Sequence, residues 1–210
     1  HVYERAALAE SPDTVLVATD HSLVFEAVEA FNGKAMMTSA HHPTGTDRLA
    51  EVAEAFPDAD VIINVQGDEP LIEPGVIDQL AQAFVDNPEL TMATLMTPMS
   101  EEDYHNPAAV KVVTNLQGYA LYFSRSLLPY PRVNAGASVY KHIGIYGYRR
   151  DFLLTYAKLA PTPLEQTESL EQLRALEHGY RIQVLKTDAQ FIGVDTPEDL
   201  VKVNELLRGR

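Results

Sequence analysis

The sequence predicts an α/β fold: a doubly wound, mostly parallel central sheet with an added β-hairpin lobe. In the first hundred residues, short apolar runs rich in β-branched residues alternate with amphipathic stretches of helical period, as in strand–helix–strand units. Residues 109–149 then change rhythm. Two β-prone runs flank a turn at 115–118, and a third run at 141–149 alternates apolar residues with glycine or aromatic residues. This segment is the predicted hairpin lobe within a single domain, 1–210.

The first half of the chain is predicted to alternate strands with helices. The strands are 14–19, 34–38, 60–67 and 91–96, and the helices are 22–31, 46–56 and 74–86. Asn32 and Gly33 end the first of these helices, because glycine readily adopts the left-handed conformation that closes a helix. The run 60–67 is the most hydrophobic of the chain and is too short for a typical helix. We therefore predict a central buried strand there.

The second half is predicted to contain the hairpin and a mixed series of elements. After the hairpin at 109–124, these are a strand at 141–149, helices at 151–158 and 165–177, a strand at 181–186, and a last strand from 191 that leads into a terminal helix. Gly179 ends the helix at 165–177. Thr196 as N-cap and Pro197 at the first helical position begin the terminal helix.

Composition excludes several classes of function. The 210 residues, 46% hydrophobic, suffice for one full-sized core, and no apolar run approaches the roughly 20 residues that would span a bilayer. The absence of cysteine excludes disulfides, cysteine-bound zinc and thiol catalysis. A net charge of -14 argues against a nucleic-acid partner. We expect a soluble, cytoplasmic protein without a membrane partner, in which an anionic small ligand needs local cations or a divalent metal.

Two aspartates stand just past predicted strands. Asp68 follows the strand at 60–67 and Asp195 follows the last strand, and in open α/β sheets ligands collect outside the carboxyl ends of strands. Such a pair would suit Mg²⁺, which favours one or two carboxylates together with phosphate oxygens and water. The structural alternative is that Asp68 closes a Gly-Asp turn and Asp195 satisfies backbone donors. Asp20 is a weaker third candidate, for which the structural reading is preferred.

The basic residues near predicted strand ends are few. Arg48 lies beside a polar turn at a helix start, where an anion or a base edge would bind, although a solvated arginine paired with Glu51 or Asp47 is the alternative. Arg125 and Arg132 flank a proline-containing loop. Arginine suits a carboxylate because its planar fork donates two parallel hydrogen bonds.

Two further pairs of side chains have a spacing that places them together. His142 and Tyr146 lie four residues apart on a predicted strand and so share one face, which is either a site or packed core. Glu171 and Gln172, on a predicted helix whose leucines face elsewhere, form either a polar wall or a solvent face.

Seven segments, in order, together resemble a known family. They are HHPTGTDRL, NVQGDEP, NPAAVKVV, GYALYFSR, KHIGIYGYR, PLEQTESLEQLR and GVDTPEDL. Through essentially its whole length the sequence resembles the 3-deoxy-manno-octulosonate cytidylyltransferases, also called CMP-Kdo synthetases. The resemblance implies a fold of the nucleotide-diphospho-sugar transferase type and a homodimer, with 109–149 as the substrate and dimer lobe.

The resemblance also implies roles for individual residues. Asp68 and Asp195 would be the catalytic magnesium ligands, with Mg²⁺ as cofactor, and Arg48 and Gln66 would contact the nucleotide. The wall that holds the acidic sugar would comprise Arg125, Arg132, His142, Tyr146, Glu171 and Gln172. The implied reaction is CTP plus 3-deoxy-D-manno-octulosonate (Kdo) to CMP-Kdo plus pyrophosphate, for lipopolysaccharide biosynthesis.

One departure from the family pattern leaves alternatives open. Members of the family begin with a strand and a loop whose arginine and lysine grip the triphosphate, and we expect the 210 residues to lack both. The alternatives are a sister CMP-sugar synthetase for an amino-octulosonate or sialic acid, a non-catalytic nucleotide-binding subunit, and a glycosyltransferase with a metal-binding acidic motif. Choice of CTP over UTP rests on the resemblance alone.

Overall fold

A computed structural model describes residues 1–133, 136, 138–194 and 196–208. Its helices are α1 Val2–Ala6, α2 Ser22–Ala30, α3 Gly45–Ala55, α4 Pro74–Asp86, α5 Arg150–Tyr156, α6 Pro163–Glu168, α7 Gln172–Glu177 and α8 Pro197–Arg208. Its strands are β1 Val17–Thr19, β2 Ala35–Met37, β3 Val61–Asn64, β4 Met92–Pro98, β5 Lys111–Thr114, β6 Ala120–Ser124, β7 Tyr140–Arg149 and β8 Gln183–Lys186. None of the helices formed by these residues is long and apolar enough to cross a membrane.

A six-stranded sheet forms the centre of the fold: five strands follow the order β6-β5-β7-β4-β8, and β3 pairs with β7 beside this path. The long strand β7 pairs with β4 along one edge, and along its other edge it pairs first with β5 and then with β3. Since β3, β4 and β5 are antiparallel to β7 and β8 is parallel to β4, four strands run in one direction and β6 and β7 run in the other. The predicted α/β class is therefore confirmed, but neighbouring strands of this sheet are mostly antiparallel and not mostly parallel as predicted: among its described pairs, β4–β8 alone is parallel.

The hairpin predicted at 109–124 is also present. Strands β5 and β6 pair antiparallel around a turn closed by Gly118, whose φ of 80° favours glycine. The turn lies against β8, where the N–H of Val184 donates to the carbonyl of Gly118 over 2.8 Å.

Strand β3 differs from the prediction of a central buried strand. It is shorter than predicted, its four residues are only half-buried, and within the described residues it pairs with β7 alone. Strands β1 and β2 form a separate two-stranded parallel sheet. The hydrophobic run correctly indicated a strand. Its hydrophobicity did not show whether the strand would be central, because hydrophobicity does not reveal how many other strands pair with it.

Two further elements were predicted wrongly. The helix predicted at 165–177 is two helices, α6 and α7, because Ser169 adopts a left-handed conformation with φ 52° and ends α6. The strand predicted from residue 191 is absent, since residues 191–194 are irregular. Two predicted helix boundaries are confirmed. Gly179, with φ 83°, follows the C-terminal end of α7, and Thr196 caps the N-terminal end of α8.

Each face of the sheet carries its own buried cluster. One cluster packs against α5 and α7 and the other against α1 and α4. An irregularity separates the pairs Thr94↔Tyr146 and Leu95↔Ile143, so that one step along β4 matches three along β7. Strand β7 thus carries two extra residues, which form a bulge beside the predicted sugar wall.

Candidate active site

The loop after β3 carries Asp68, and the structure joins this loop to the segment before α8. The side chain of Asp68 is exposed, and its backbone carbonyl accepts the N–H of Val194 over 2.9 Å. Asp195 itself lies outside the described residues. The residue before it is therefore bonded to the other predicted metal ligand, at the edge of the sheet that the strand-end rule indicated.

The backbone just after Asp195 is also held. Thr196 donates its N–H and its hydroxyl to the carboxylate of Asp199 over 3.0 and 2.8 Å, and its hydroxyl oxygen accepts the N–H of Asp199 over 3.2 Å. This reciprocal cap begins α8. Among the residues that the structure describes, no three His, Asp or Glu side chains form a metal-binding group. An exposed carboxylate such as Asp68 nevertheless suits Mg²⁺, which takes few protein ligands when phosphate oxygens and water supply the rest.

Arg48 lies in the first turn of α3 and binds the ends of β1 and β2. Its guanidinium donates to Asp20 Oδ2 over 2.8 Å and to the Thr38 hydroxyl, and its side chain is 22% exposed. The hydrogen bond from Arg48 is the main reason why the pKa of Asp20 lies below its ordinary value. The predicted alternative, a pair with Glu51 or Asp47, is wrong, because Asp20 at the end of β1 takes the guanidinium.

Gln66 connects the β3 loop to the bulge in β7. Its amide nitrogen donates to the carbonyl oxygen of Gly144 over 3.3 Å, and its side chain is otherwise exposed. Gly144 belongs to the bulge that separates His142 from Tyr146. Gln66, predicted to contact the nucleotide, therefore binds the strand that carries His142 and Tyr146 of the predicted sugar wall.

His142 and Tyr146 share one face of β7, as predicted. Their ring centroids lie 5.4 Å apart, and Phe123 packs edge-on to His142 at 5.0 Å. The buried Thr94 hydroxyl lies 2.8 Å from the carbonyl oxygen of Ile145, to which it donates, so His142 Nε2 donates to Thr94 over 3.0 Å. Burial lowers the pKa of His142 to about 3 and raises that of Tyr146, so both rings are neutral near pH 7.

Arg125 is bound to backbone on three sides. Its guanidinium donates to the carbonyl oxygens of Pro107, Glu168 and Ser169 over 2.9, 2.7 and 3.2 Å. Among the residues that the structure describes, three of the five guanidinium N–H groups therefore have a partner. Arg132 is exposed in the following loop, next to residues outside the described part of the chain.

Glu171 and Gln172 lie at the start of α7. Gln172 is buried, whereas the Glu171 side chain is 33% exposed. Burial raises the pKa of Glu171, and the nearby side chains of Thr46 and of the α3 N-cap Thr44 oppose that rise. Glu171 therefore connects the predicted sugar wall to the helix that carries Arg48.

Sequence reasoning missed the residues that support these side chains. Lys111 is fully buried, and its ammonium donates to the carbonyl oxygens of Asn106 and Arg125 over 2.6 and 3.1 Å; burial lowers its pKa. Arg174 pairs with Glu165, nine residues earlier. In one continuous helix, residues nine apart lie on opposite sides, so this ion pair becomes possible only because the chain breaks at Ser169.

Comparison with known proteins identifies the family. Residues 1–182 match the family described as Cytidylyltransferase. A 3-deoxy-manno-octulosonate cytidylyltransferase from Geobacter metallireducens is 54% identical over 219 residues, which cover 99% of this chain and 86% of the relative. The chain belongs to the 3-deoxy-manno-octulosonate cytidylyltransferase family. A second member of this family, from Fusobacterium nucleatum, is 52% identical over 203 residues and covers 96% of this chain and 82% of the relative.

Solved structures agree with this assignment. A CMP:2-keto-3-deoxy-manno-octonic acid synthetase complexed with CTP is 47% identical, with a TM-score of 0.95 over 99% of this chain and 86% of that one. A 4-diphosphocytidyl-2C-methyl-D-erythritol synthase from Anaerococcus prevotii, at 12% identity and a TM-score of 0.65 over 99% of this chain and 84% of that one, shares the fold. The family that the seven segments indicated is confirmed.

Proposed function

We propose that the chain activates an acidic sugar by nucleotidyl transfer, converting CTP and 3-deoxy-D-manno-octulosonate into CMP-Kdo and pyrophosphate. The observation that carries this proposal is the near full-length likeness to a CMP:2-keto-3-deoxy-manno-octonic acid synthetase complexed with CTP. In this reaction the anomeric hydroxyl of the sugar forms a bond to the α-phosphorus. The bond from that phosphorus to the bridging oxygen breaks, pyrophosphate leaves, and the hydroxyl proton passes to solvent.

Asp68 and Asp195 would hold Mg²⁺ at the edge of the sheet. When bound, Mg²⁺ supplies positive charge that neutralises the phosphates and the departing pyrophosphate. The bond between Val194 and Asp68 supports this assignment, because it joins the two segments that carry the aspartates. The chain's net charge of -14 makes such a local positive charge necessary for two anionic substrates.

The remaining residues would bind and orient the substrates. We assign Arg48 and Gln66 to the nucleotide. We assign to the sugar a wall of six residues, Arg125, Arg132, His142, Tyr146, Glu171 and Gln172. The bond from Gln66 to the bulge supports a place for it between the two substrates. His142 does not act as the general base, because a ring with a pKa of about 3 accepts a proton poorly near neutral pH.

We further propose a homodimer that works in the cytoplasm on the route to lipopolysaccharide. Its contact would be formed by the hairpin β5–β6 and the loop that follows. Large apolar side chains stand exposed there, which supports an interaction surface: Leu116, Leu121, Tyr130 and Val133.

A magnesium-dependent pyrophosphate assay on the full chain tests the proposal. Kdo, an amino-substituted octulosonate and sialic acid are compared as acceptors, with CTP and UTP as donors and with a chelator as the control. We expect release only with CTP, Kdo and Mg²⁺ together, and a product of the mass of CMP-Kdo. Binding of CTP without turnover of any acidic sugar would favour the non-catalytic subunit, and turnover of another sugar would favour a sister synthetase.

A further inference from the structure

The turn between α6 and α7 holds Glu171 in a defined place. Leu170 and Leu173, on either side of Glu171 in the sequence, are buried in the cluster that packs against α5 and α7. The hydroxyl of Tyr156 on α5 donates to the backbone carbonyl of Glu171 over 2.7 Å. The backbone of this residue is therefore anchored from α5, independently of its carboxylate.

A buried ion pair lies beside this turn. The Arg174 guanidinium, 5% exposed, donates through Nε to Glu165 Oε2 over 2.9 Å and through a terminal nitrogen to Glu165 Oε1 over 2.5 Å. Glu165 is also fixed by the N–H of Thr162 over 3.1 Å. Burial tends to raise the pKa of Glu165, but the hydrogen bonds from Arg174 and Thr162 outweigh it, so that the pKa is lowered overall.

Arg174 faces Glu171 as well. The same terminal nitrogen lies 3.6 Å from Glu171 Oε1, an atom that is fully buried and has no hydrogen-bond partner among the described residues. The Thr46 side chain, itself buried at the start of α3, lies close enough to the Glu171 carboxyl to favour its charged form. Arg174 thus lies between Glu165 in α6, which it binds at two points, and Glu171, which lies near the start of α3.

We propose that Arg174 is a positioning residue for the acidic-sugar half of the reaction: held by Glu165, it fixes the Glu171 carboxyl against the start of α3. This inference rests on the proposed function, in which Glu171 contacts the sugar. Arg48 follows Thr46 by two residues on the same helix. The proximity of Glu171 to Thr46 therefore fixes the position of the sugar wall relative to Arg48, the residue assigned to the nucleotide.

Substitution of Arg174 tests the proposal through the two Michaelis constants. Arg174→Lys keeps the charge but loses the planar fork that binds Glu165 at two points. We expect the KM for Kdo to rise about tenfold, the scale of one lost charge-assisted hydrogen bond, while the KM for CTP stays within about twofold. An unchanged KM for Kdo in a folded variant would overturn the proposal.

Arg149→Lys is the matched control for structural damage. Arg149 donates to the carbonyl oxygens of Phe84 and Leu90, beside α4 on the opposite face of the sheet. We expect a comparable loss of thermal stability with both Michaelis constants unchanged. If Arg149→Lys raised the KM for Kdo as much as Arg174→Lys did, the effect would be general loosening and the proposal would fail.

A double-mutant cycle asks whether Arg174 acts through Glu171. In a Glu171→Gln background, Arg174→Lys is expected to add less than twofold to the KM for Kdo, because the group that it positions has already been altered. Full additivity would contradict the proposal. Should Arg174→Lys fail to fold, Glu165→Gln weakens the hold on Arg174 while Arg174 and Glu171 both remain, and an unchanged KM for Kdo in that variant would equally contradict the proposal.

The wild-type chain separates this inference from the proposed function. If the wild type turns over CTP and Kdo and Arg174→Lys behaves as Arg149→Lys does, only the positioning role is lost. If the wild type turns over no acidic sugar, the proposed function fails first. Titration of CTP into the wild type and into Arg174→Lys then shows whether the nucleotide site is intact in both.

Discussion

Val194 donates its backbone N–H to the carbonyl oxygen of Asp68 over 2.9 Å, a bond between residues 126 positions apart in the chain. It joins the loop after β3 to the segment that begins α8. Because a main-chain bond does not depend on either side chain, a change to the carboxylate of Asp68 should leave this junction in place.

Asp68→Asn should therefore separate activity from stability. The substitution removes a negative charge that would bind Mg²⁺, so we expect turnover to fall by roughly 10²- to 10³-fold, the scale of one lost electrostatic contact to the transition state. The melting temperature should change by no more than about 2 °C, since the side chain is exposed. Pyrophosphate release and thermal unfolding on the same preparation provide both numbers.

Asp58→Asn is the control for this experiment. Asp58 is also exposed but lies before β3, at the opposite end of the strand. We expect it to retain full turnover. Near-normal turnover in Asp68→Asn, at saturating Mg²⁺, would show that the metal assignment is wrong.

Arg48 and Asp20 should affect the nucleotide more than the sugar. Arg48→Lys loses the fork that bridges β1 and β2, and Asp20→Asn removes the charge that orients it, each at a cost of roughly 1.5 kcal/mol, or about tenfold. Initial rates at varied CTP should show the KM for CTP rising by that factor, with the KM for Kdo unchanged. Glu54→Gln, an exposed position in the same helix, is the control and should move neither constant. A KM for CTP that stays within twofold in Arg48→Lys would remove this residue from the nucleotide site.

The buried ring of His142 should make stability depend on pH. Its pKa falls from an ordinary value near 6.5 to about 3, so between these values the unfolded chain binds a proton that the folded chain does not. The contribution of this residue to stability is thus greatest above pH 6.5 and declines on acidification between the two values, by about 1.4 kcal/mol per pH unit. The gap between wild type and His142→Gln, measured by urea unfolding, should shrink by about 2 kcal/mol from pH 7 to pH 5.

Phe123→Leu supplies the comparison for this measurement. It disturbs the same aromatic contact without removing a titrating group. Its destabilisation should be equal at the two pH values. A His142→Gln gap that is likewise constant would mean that the ring takes up its proton at the same pH in the folded and unfolded chains.

Substitution by alanine should be costly at one glycine of β7 and nearly neutral at another. A Cβ at Gly147 would lie 2.5 Å from the ring of Phe84, whereas a Cβ at Gly144 would meet nothing within 4 Å. We expect Gly147→Ala to lose about 1 to 3 kcal/mol through overpacking and Gly144→Ala to lose little, as judged by urea unfolding. Equal losses at the two positions would indicate that strand conformation, and not contact with Phe84, requires the glycine.

Much of this architecture is predictable from local sequence. The positions of α3, α4 and β7 follow from periodicity and turn residues, and the shared face of His142 and Tyr146 follows from the two-residue repeat of a strand. The strand-end rule placed Asp68 at an edge that also holds Val194. These features are determined by residues that lie close together in the chain, so the sequence alone is enough to predict them.

The remaining features depend on neighbours in space. Nothing local indicates that Arg48 would pair with Asp20, 28 residues away, or that Lys111 would find two carbonyl groups as partners. The break at Ser169 was missed for a related reason. A serine carries no strong helix-breaking preference, and the ion pair between Glu165 and Arg174 favours the break only once both helices are packed.

The bulge in β7 has a consequence for insertions and deletions, because its two extra residues are an even number. Side chains before and after it keep their assignment to the same faces, so His142 and Tyr146 remain together. Deleting one residue there would turn the side chains of half the strand to the opposite face, and so into the wrong one of the two buried clusters. Deleting two residues would only remove the bulge. Strand β7 should therefore tolerate the loss or gain of an even number of residues better than that of an odd number.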